Sequence, residues 1–248
     1  MSIEAVDRLE QIEQRVRTAG RVKVTELAVA LDVSEMTIRR DLDVLAEQGM
    51  VQRVRGGAVA VGPQPFAQRF SRQARAKDRI AAKLAALVGD GGAVGVDASS
   101  TLQRLAGHLD HPRELTVVTN GQDTFQALQD VPGVTVLLTG GQLDRRTGSL
   151  VGPLATRAAR EVLLRRLFVS AAALHPRHGT SEATLEEAEV KLALADVAAE
   201  VVVAVDSSKL GQAAPARGLP PERVDLLVTE LEPTDPALDP YRDQWRIL

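Results

Sequence analysis

The chain has 248 residues, 44% of them apolar and 25% charged, a balance that fits a folded globular protein with room for a small domain beside a larger one. It contains no cysteine, which excludes disulfides, thiolate metal sites and cysteine nucleophiles, and with only 2% aromatics its core must be built from Ala, Val and Leu. The net charge of −3 does not announce a nucleic-acid partner, but Arg53, Arg55, Arg69, Arg72, Arg75, Lys77 and Arg79 stand against Asp78 alone in one stretch. No apolar run approaches the length of a membrane span, and the first residues lack the apolar core of a signal peptide, so a cytoplasmic protein is expected.

Val6, Leu9, Ile12 and Val16 recur at helical spacing and predict a first helix over residues 3–18, ended by Gly20. Residues 25–31 read as a short second helix with Leu27, Ala28 and Leu31 on its apolar face, followed by a turn at Asp32-Val33. Ser34 suits the N-cap of a third helix, because its hydroxyl can accept a bond from an orphan amide of the first turn. That helix carries Ile38, Leu42 and Leu45 inward, and Gly49 is a stop signal. Residues 50–55 alternate, Gly56-Gly57 turns the chain, and residues 58–61 return as a second strand. A hairpin after three helices is a wing. Gly62-Pro63-Gln64-Pro65 reads as a linker, and residues 66–88 as a helix joining two domains.

From Ala93 onward, short apolar runs at 93–96, 115–118, 134–138, 167–172, 201–205 and 226–228 alternate with helical stretches. Continuous apolar strands separated by helices predict a mostly parallel sheet buried on both faces. The tail from 233 to 248 holds three prolines and the only Trp and Tyr, and reads as an irregular arm that finishes as an edge strand over 245–248. The expected architecture is therefore α/β overall. A winged helix-turn-helix occupies 1–62, a linker helix 63–89, a larger mostly parallel α/β domain 90–232 and an arm 233–248.

Two regions carry chemistry. Two short helices joined by a tight turn match the helix-turn-helix, whose second helix enters the major groove of DNA. Glu35, Met36, Thr37, Arg39 and Arg40 fall on or beside its exposed face. Arg reads guanine through two hydrogen bonds and Thr meets a base edge or a thymine methyl. Ser34 with the helix N-terminus suits a phosphate oxygen, and Arg53 and Arg55 on the wing suit the backbone or minor groove. The plainer alternative pairs Arg39 and Arg40 with Glu35, Asp41 or Asp43 on a solvated face.

The second region starts at Asp97, where a strand runs into Ser99-Ser100-Thr101 and a following helix. Three consecutive hydroxyl residues there make an anion site, with phosphate as the expected guest; a single helix cap would need only one of them. Asn120 and Gly140-Gly141 follow the next two strands, and ligands of open α/β sheets bind outside the carboxyl ends of strands. Asn120 suits sugar hydroxyls, and the two glycines allow close backbone approach. Glu187 and Lys191 are four apart on one helix face, a spacing that alone reads as a surface ion pair, and Lys209 ends a later strand. The four histidines are expected in loops, and His175 and His178, three apart with Pro176 between them, have no acidic partner close in sequence, so no metal site is expected, and no cofactor is implied.

The run Thr37-Ile38-Arg39-Arg40-Asp41-Leu42, with Leu31-Asp32-Val33-Ser34 before it and Arg55-Gly56-Gly57-Ala58 after it, resembles the N-terminal domain of the DeoR family of bacterial regulators. Asp97 to Leu102, Val118-Thr119-Asn120, Thr139 to Leu143, Gly148 to Gly152, Glu187 to Lys191 and Asp206-Ser207-Ser208-Lys209 resemble blocks of that family's sensor domain. The resemblance covers roughly residues 24–230. It implies a sensor similar in fold to ribose-5-phosphate isomerase, with Asp97, Ser99, Ser100, Thr101, Asn120, Gly140, Gly141, Glu187, Lys191 and Lys209 around a phosphorylated sugar. It also implies a repressor of a carbohydrate operon that binds double-stranded operator DNA as a homo-oligomer, dimer or tetramer, with the linker helix transmitting effector binding. Two departures narrow the expected pocket: Ser99 stands where the family has glycine, and Ser170-Ala171-Ala172-Ala173 where it often reads Gly-x-Ser-Gly. The competing reading is a sugar-phosphate isomerase-like enzyme with an accessory helical domain. Asp97, Glu187, Lys191 and Lys209 would then be its acid and base candidates by residue type.

Overall fold

Helical spacing followed by alternation folds, in the first part of the chain, into three helices and a small sheet. The computed structural model describes residues 3–47, 50–60, 65–110 and 112–248, so the stop expected at Gly49 and the linker signal over 62–64 lie outside the described residues. The chain divides into two compact units, Met1–Arg69 and Phe70–Leu248. In the first, α1 (Ile3–Ala19) is followed by β1 (Arg21–Lys23), α2 (Val24–Ala30), α3 (Glu35–Glu47), β2 (Val51–Val54) and β3 (Gly57–Ala60). Ile12, Val16, Leu27, Ile38, Leu42 and Leu45 close one core over Val51 and Ala58. Asp41, buried on α3, accepts from Arg8 Nε at 2.6 Å, which pins α1 to α3.

The wing has three strands rather than two, in the antiparallel order β1-β3-β2. The two glycines of its turn have separate reasons. Gly56 has φ +79°, and a Cβ on Gly57 would stand 1.9 Å from the carbonyl oxygen of Val22, so β1 can lie against β3 only where residue 57 lacks a side chain. The unit is the expected winged helix-turn-helix.

The expected helix over 66–88 is two, α4 (Phe66–Ser71) and α5 (Ala74–Val88). Gln73 has φ +53°, a left-handed conformation that a right-handed helix cannot run through. The second unit is built on β4 (Ala93–Val96), β5 (Leu115–Thr119), β6 (Val134–Leu138), β9 (Arg166–Val169), β12 (Val201–Ala204), β14 (Leu226–Val228) and β15 (Arg246–Ile247). All pair in parallel, in the order β15-β14-β12-β9-β4-β5-β6. Between them come α6 (Gln122–Leu128), the hairpin β7 (Gln142–Asp144) and β8 (Ser149–Val151), α7 (Pro153–Arg160) and α8 (Leu185–Asp196). A small antiparallel sheet joins β10 (Ala173–His175), β11 (Gly179–Glu182) and β13 (Ala216–Arg217).

The pleat sorts the strand residues onto two faces. Val94, Val96, Phe168, Val202 and Ala204 meet α5 and α6 on one face. Leu167, Val169, Val201 and Val203 meet α7 and α8 on the other. The helix expected after Thr101 is a 3₁₀-helix, Leu102–His108. Its two buried residues, Leu102 and Leu105, are three apart, the period of that helix. The expected terminal edge strand is present as β15. The arm before it includes α9 (Asp239–Arg242) and lends Tyr241 and Trp245 to the core. Among the described residues no helix is long and apolar enough to cross a membrane.

Candidate effector site and DNA-reading surface

On the first unit, Ser34 caps α3 as its sequence position requires: its Oγ accepts from Thr37 N at 3.1 Å and lies 2.9 Å from Thr37 Oγ1. Both hydroxyls are thus engaged in the cap. Arg39 donates to Glu35 at 3.2 Å, the solvated pairing that competes with base reading, and an exposed pair of this kind is worth well under ~1 kcal/mol. Met36 and Arg40 are exposed, and Arg40 makes no hydrogen bond or ion pair among the described residues. On the wing, Arg55 is exposed in the turn. Arg53 is half-buried and tied down, donating to Asp43 Oδ1 at 2.8 Å and to the Gly57 carbonyl at 2.8 Å. It braces the wing against α3, and of the four arginines expected at DNA, Arg40 and Arg55 have no hydrogen bond or ion pair among the described residues.

In the second unit, the loops after four neighbouring strands meet. Asp97, fully buried after β4, accepts from Ser99 N through Oδ1 and from Ser170 N through Oδ2, both at 2.9 Å. Ser170 follows β9, so this carboxylate joins two strand ends. Lys191 reaches in from α8, with its Nζ 3.2 Å from Asp97 Oδ2 and 2.9 Å from Glu182 Oε1, and donates to the Ser170 carbonyl at 2.8 Å. Lys209, after β12, donates to Ser170 Oγ at 3.2 Å and to the Ala171 carbonyl at 2.5 Å. Glu187 is buried and accepts from Ser149 Oγ at 3.4 Å, and Ser149 is 2.6 Å from Thr147 Oγ1. The surface ion pair expected from the spacing of Glu187 and Lys191 is not what forms. Both side chains are buried, and Lys191 pairs with Asp97 and Glu182 instead.

Burial raises the Glu182 carboxyl to about 7, with Glu187 and Asp97 adding to the rise and Lys191 opposing it. Burial also pushes Lys191 toward its neutral form, but Glu182, Asp97 and Glu187 together outweigh that and raise its pKa. Lys209 is lowered by burial, with the charge of Lys191 acting in the same direction against Asp206. Among the described residues no group of three His, Asp or Glu could hold a metal ion; the space between Asp97 and Glu182 is taken by the Lys191 ammonium.

The three hydroxyls after Asp97 have three different fates. Ser99 Oγ caps the 3₁₀-helix, accepting from Leu102 N at 3.1 Å. Ser100 Oγ accepts from Lys77 Nζ of α5 at 3.0 Å, and Lys77 is buried. Thr101 is fully buried, and its Oγ1 has no hydrogen-bond partner among the described residues. Asn120 donates through Nδ2 to the Leu150 carbonyl at 3.2 Å, while its buried Oδ1 is likewise unpartnered. A buried polar atom left unmade costs about 1–3 kcal/mol. Gly140 and Gly141 lie at the end of β6, where a Cβ on Gly141 would stand 2.8 Å from the Val151 carbonyl and 2.9 Å from Ala155 Cβ. Among the described residues no hydrogen bond joins either glycine to the Asp97–Lys191 cluster. Glu182 was not singled out by the sequence, and Lys77, Ser149 and Ser170 were noted there only in a basic run, a family block and a departure from the family pattern, not as site residues. Only the meeting of β8, β11 and α5 with the strand ends brings them together.

Comparison with known proteins bears on both units. Residues 8–64 match the family model of the DeoR-like helix-turn-helix domain, and residues 72–231 that of the DeoR C terminal sensor domain. The HTH-type transcriptional regulator GolR of Listeria innocua is 34% identical over 85% of this chain and 85% of its own length. The uncharacterized HTH-type transcriptional regulator YgbI of Escherichia coli is 35% identical over 91% of this chain and 89% of its own. A putative aga operon transcriptional repressor of Escherichia coli O157:H7 is 30% identical over 90% and 86%. Among solved structures, ribose 5-phosphate isomerase from Plasmodium falciparum is 12% identical over 54% of this chain and 52% of its own, at a TM-score of 0.39, a likeness too weak to carry an argument.

Proposed function

The chain belongs to the DeoR family and is a DNA-binding transcriptional regulator, and from this we propose that its sensor unit binds a small phosphorylated sugar that changes the affinity of the reader unit for operator DNA. The observation that carries the proposal is the pair of buried, unpartnered oxygens, Thr101 Oγ1 and Asn120 Oδ1, at the ends of the adjacent strands β4 and β5. The phosphate lies against Ser100 and Thr101, with the Lys77 ammonium supplying opposite charge. The sugar hydroxyls reach Asn120 and the edge of the Asp97, Glu187, Lys191 and Lys209 cluster. Gly140 and Gly141 approach through their backbone.

On DNA, Arg40 reads base edges beside Glu35, Met36, Thr37 and Arg39, while Ser34 and the wing residues Arg53 and Arg55 line the backbone contact. A second copy of the chain supplies the second reader of a repeated or palindromic site. The regulator acts in the cytoplasm as a repressor, a reading supported by the relative named for repression of an operon. The isomerase alternative is disfavoured because the relatives that match along most of the chain are transcriptional regulators.

The test is a melting screen against sugars with and without phosphate. A ligand at 100 times its dissociation constant adds about 2.7 kcal/mol. Stabilisation confined to phosphorylated sugars is expected; equal shifts by the unphosphorylated sugars, or none by either, would refute the effector assignment.

A further inference from the structure

The loop that ends in Thr101 leads directly into the 3₁₀-helix Leu102–His108, and Ser99 Oγ caps that helix. The same helix grips the segment where the chain enters the sensor unit. Arg104 Nη2 donates to the Phe70 carbonyl at 3.0 Å, and its guanidinium lies over the Phe70 ring, 4.1 Å from the centroid. Arg104 Nη1 is 3.9 Å from Asp78 Oδ1, and His108 Nε2 is 3.1 Å from the same oxygen. Phe70 is the first residue of the sensor unit, next in the chain to Arg69, the last of the DNA-reading unit.

We infer that Arg104 is the positioning residue through which occupancy of the hydroxyl loop reaches the junction between the two units. The inference rests on the effector site proposed above. Its physical content is a short connection. The 3₁₀-helix has only seven residues; Ser99 of the effector loop accepts from its first amide, and Arg104 and His108 tie it to Phe70 and Asp78. A ligand that re-orients Ser99 to Thr101 shifts that first amide, and Arg104, two residues further on, carries the shift to Phe70. A guanidinium that both stacks on a ring and bonds its carbonyl restrains Phe70 in position and in orientation. Leu102 and Leu105 pack in one core with Ile80 and Leu84 of α5, so the connection also bears on the helix that follows the junction. The coupling can be no larger than the ligand's differential affinity for the two arrangements.

The test uses the full chain, with inorganic phosphate as the probe and site-resolved amide hydrogen exchange as the readout. In the wild type, phosphate should slow exchange both in residues 99–104 and in residues 70–73, a window that leaves out Lys77 because its ammonium meets Ser100 directly, the latter by roughly fivefold or more. In Arg104→Met, which keeps the length and apolar stem but loses the hydrogen bonds and the stacked charge, protection of 99–104 should remain and that of 70–73 should vanish. Phe70→Leu, which removes the ring but leaves its carbonyl to Arg104, should reduce the protection of 70–73 and decides the matter should Arg104→Met fail to melt cooperatively. Equal protection of 70–73 in wild type and both variants would overturn the role of Arg104 and leave the effector site standing. Absence of phosphate protection at 99–104 in the wild type would remove the effector site, and the connection with it.

Discussion

Thr101→Val should make the unliganded sensor more stable and the liganded one less so. The side chain is fully buried and its Oγ1 has no partner among the described residues, so the folded state bears the desolvation of a hydroxyl without a bond in return. That penalty is about 1–3 kcal/mol. Valine keeps the branched shape, so little of the gain is lost to repacking, and a stabilisation of about 1 kcal/mol is expected. The chain has one tryptophan, Trp245, buried in the sensor core, so its fluorescence during urea unfolding reports that unit rather than the reader. The variant should show a higher urea midpoint and a smaller melting shift with a sugar phosphate, the trade expected of a residue kept for binding rather than stability. A lower midpoint of similar size would mean that the hydroxyl is satisfied in the folded protein, and the argument that the loop awaits a ligand would fall.

Glu182 sets a pH dependence. Its carboxyl is raised from 4.5 to about 7, so the folded sensor holds the proton more tightly than the unfolded chain, and stability falls as pH rises across that window and levels off above it. The shift from 4.5 to about 7 corresponds to about 3 kcal/mol, and Glu182→Gln should abolish that loss between pH 5 and pH 8 in Trp245-monitored unfolding; coincident profiles would show that the carboxyl is not perturbed. Arg40→Ala should weaken binding to a selected duplex by about 1–3 kcal/mol in an anisotropy titration at fixed salt, with the sugar-phosphate melting shift unchanged. Gly57→Ala places a methyl against the Val22 carbonyl and should cost the reader unit about 1–3 kcal/mol, seen as weaker DNA binding and earlier melting of that unit alone.

The reader unit followed from its sequence because each signal is local. Ser34 caps the helix it precedes, Ile38 and Leu42 repeat at helical spacing, and Gly56-Gly57 turns the wing. What escaped there was short or tertiary. β1 is three residues with one buried position, and only the absence of a Cβ at Gly57 lets it join the wing. The break between α4 and α5 rests on the left-handed conformation of Gln73, which no glycine or proline announces. The engagement of Arg53 by Asp43 and Gly57 depends on how the wing folds back on α3.

The strands of the sensor were visible as apolar runs, and with them the loops that carry Asp97, Thr101 and Asn120. The way these residues are satisfied was not. Glu182 sits in a strand of the small antiparallel sheet, and nothing in its neighbours signals that Lys191 will lie 2.9 Å away. Lys77 is one of several basic residues in a run that reads as solvated, yet it is buried against Ser100. Periodicity locates strand ends; which charges are neutralised there is decided by contacts between elements far apart in the chain.

The most direct test of the account is an affinity titration of the full chain on a duplex selected by it from a random pool, with and without the phosphorylated sugar that gives the largest melting shift. The account predicts at least a roughly fivefold change in DNA affinity with that sugar phosphate and none with its unphosphorylated form. Unchanged DNA affinity under saturating sugar phosphate would contradict it.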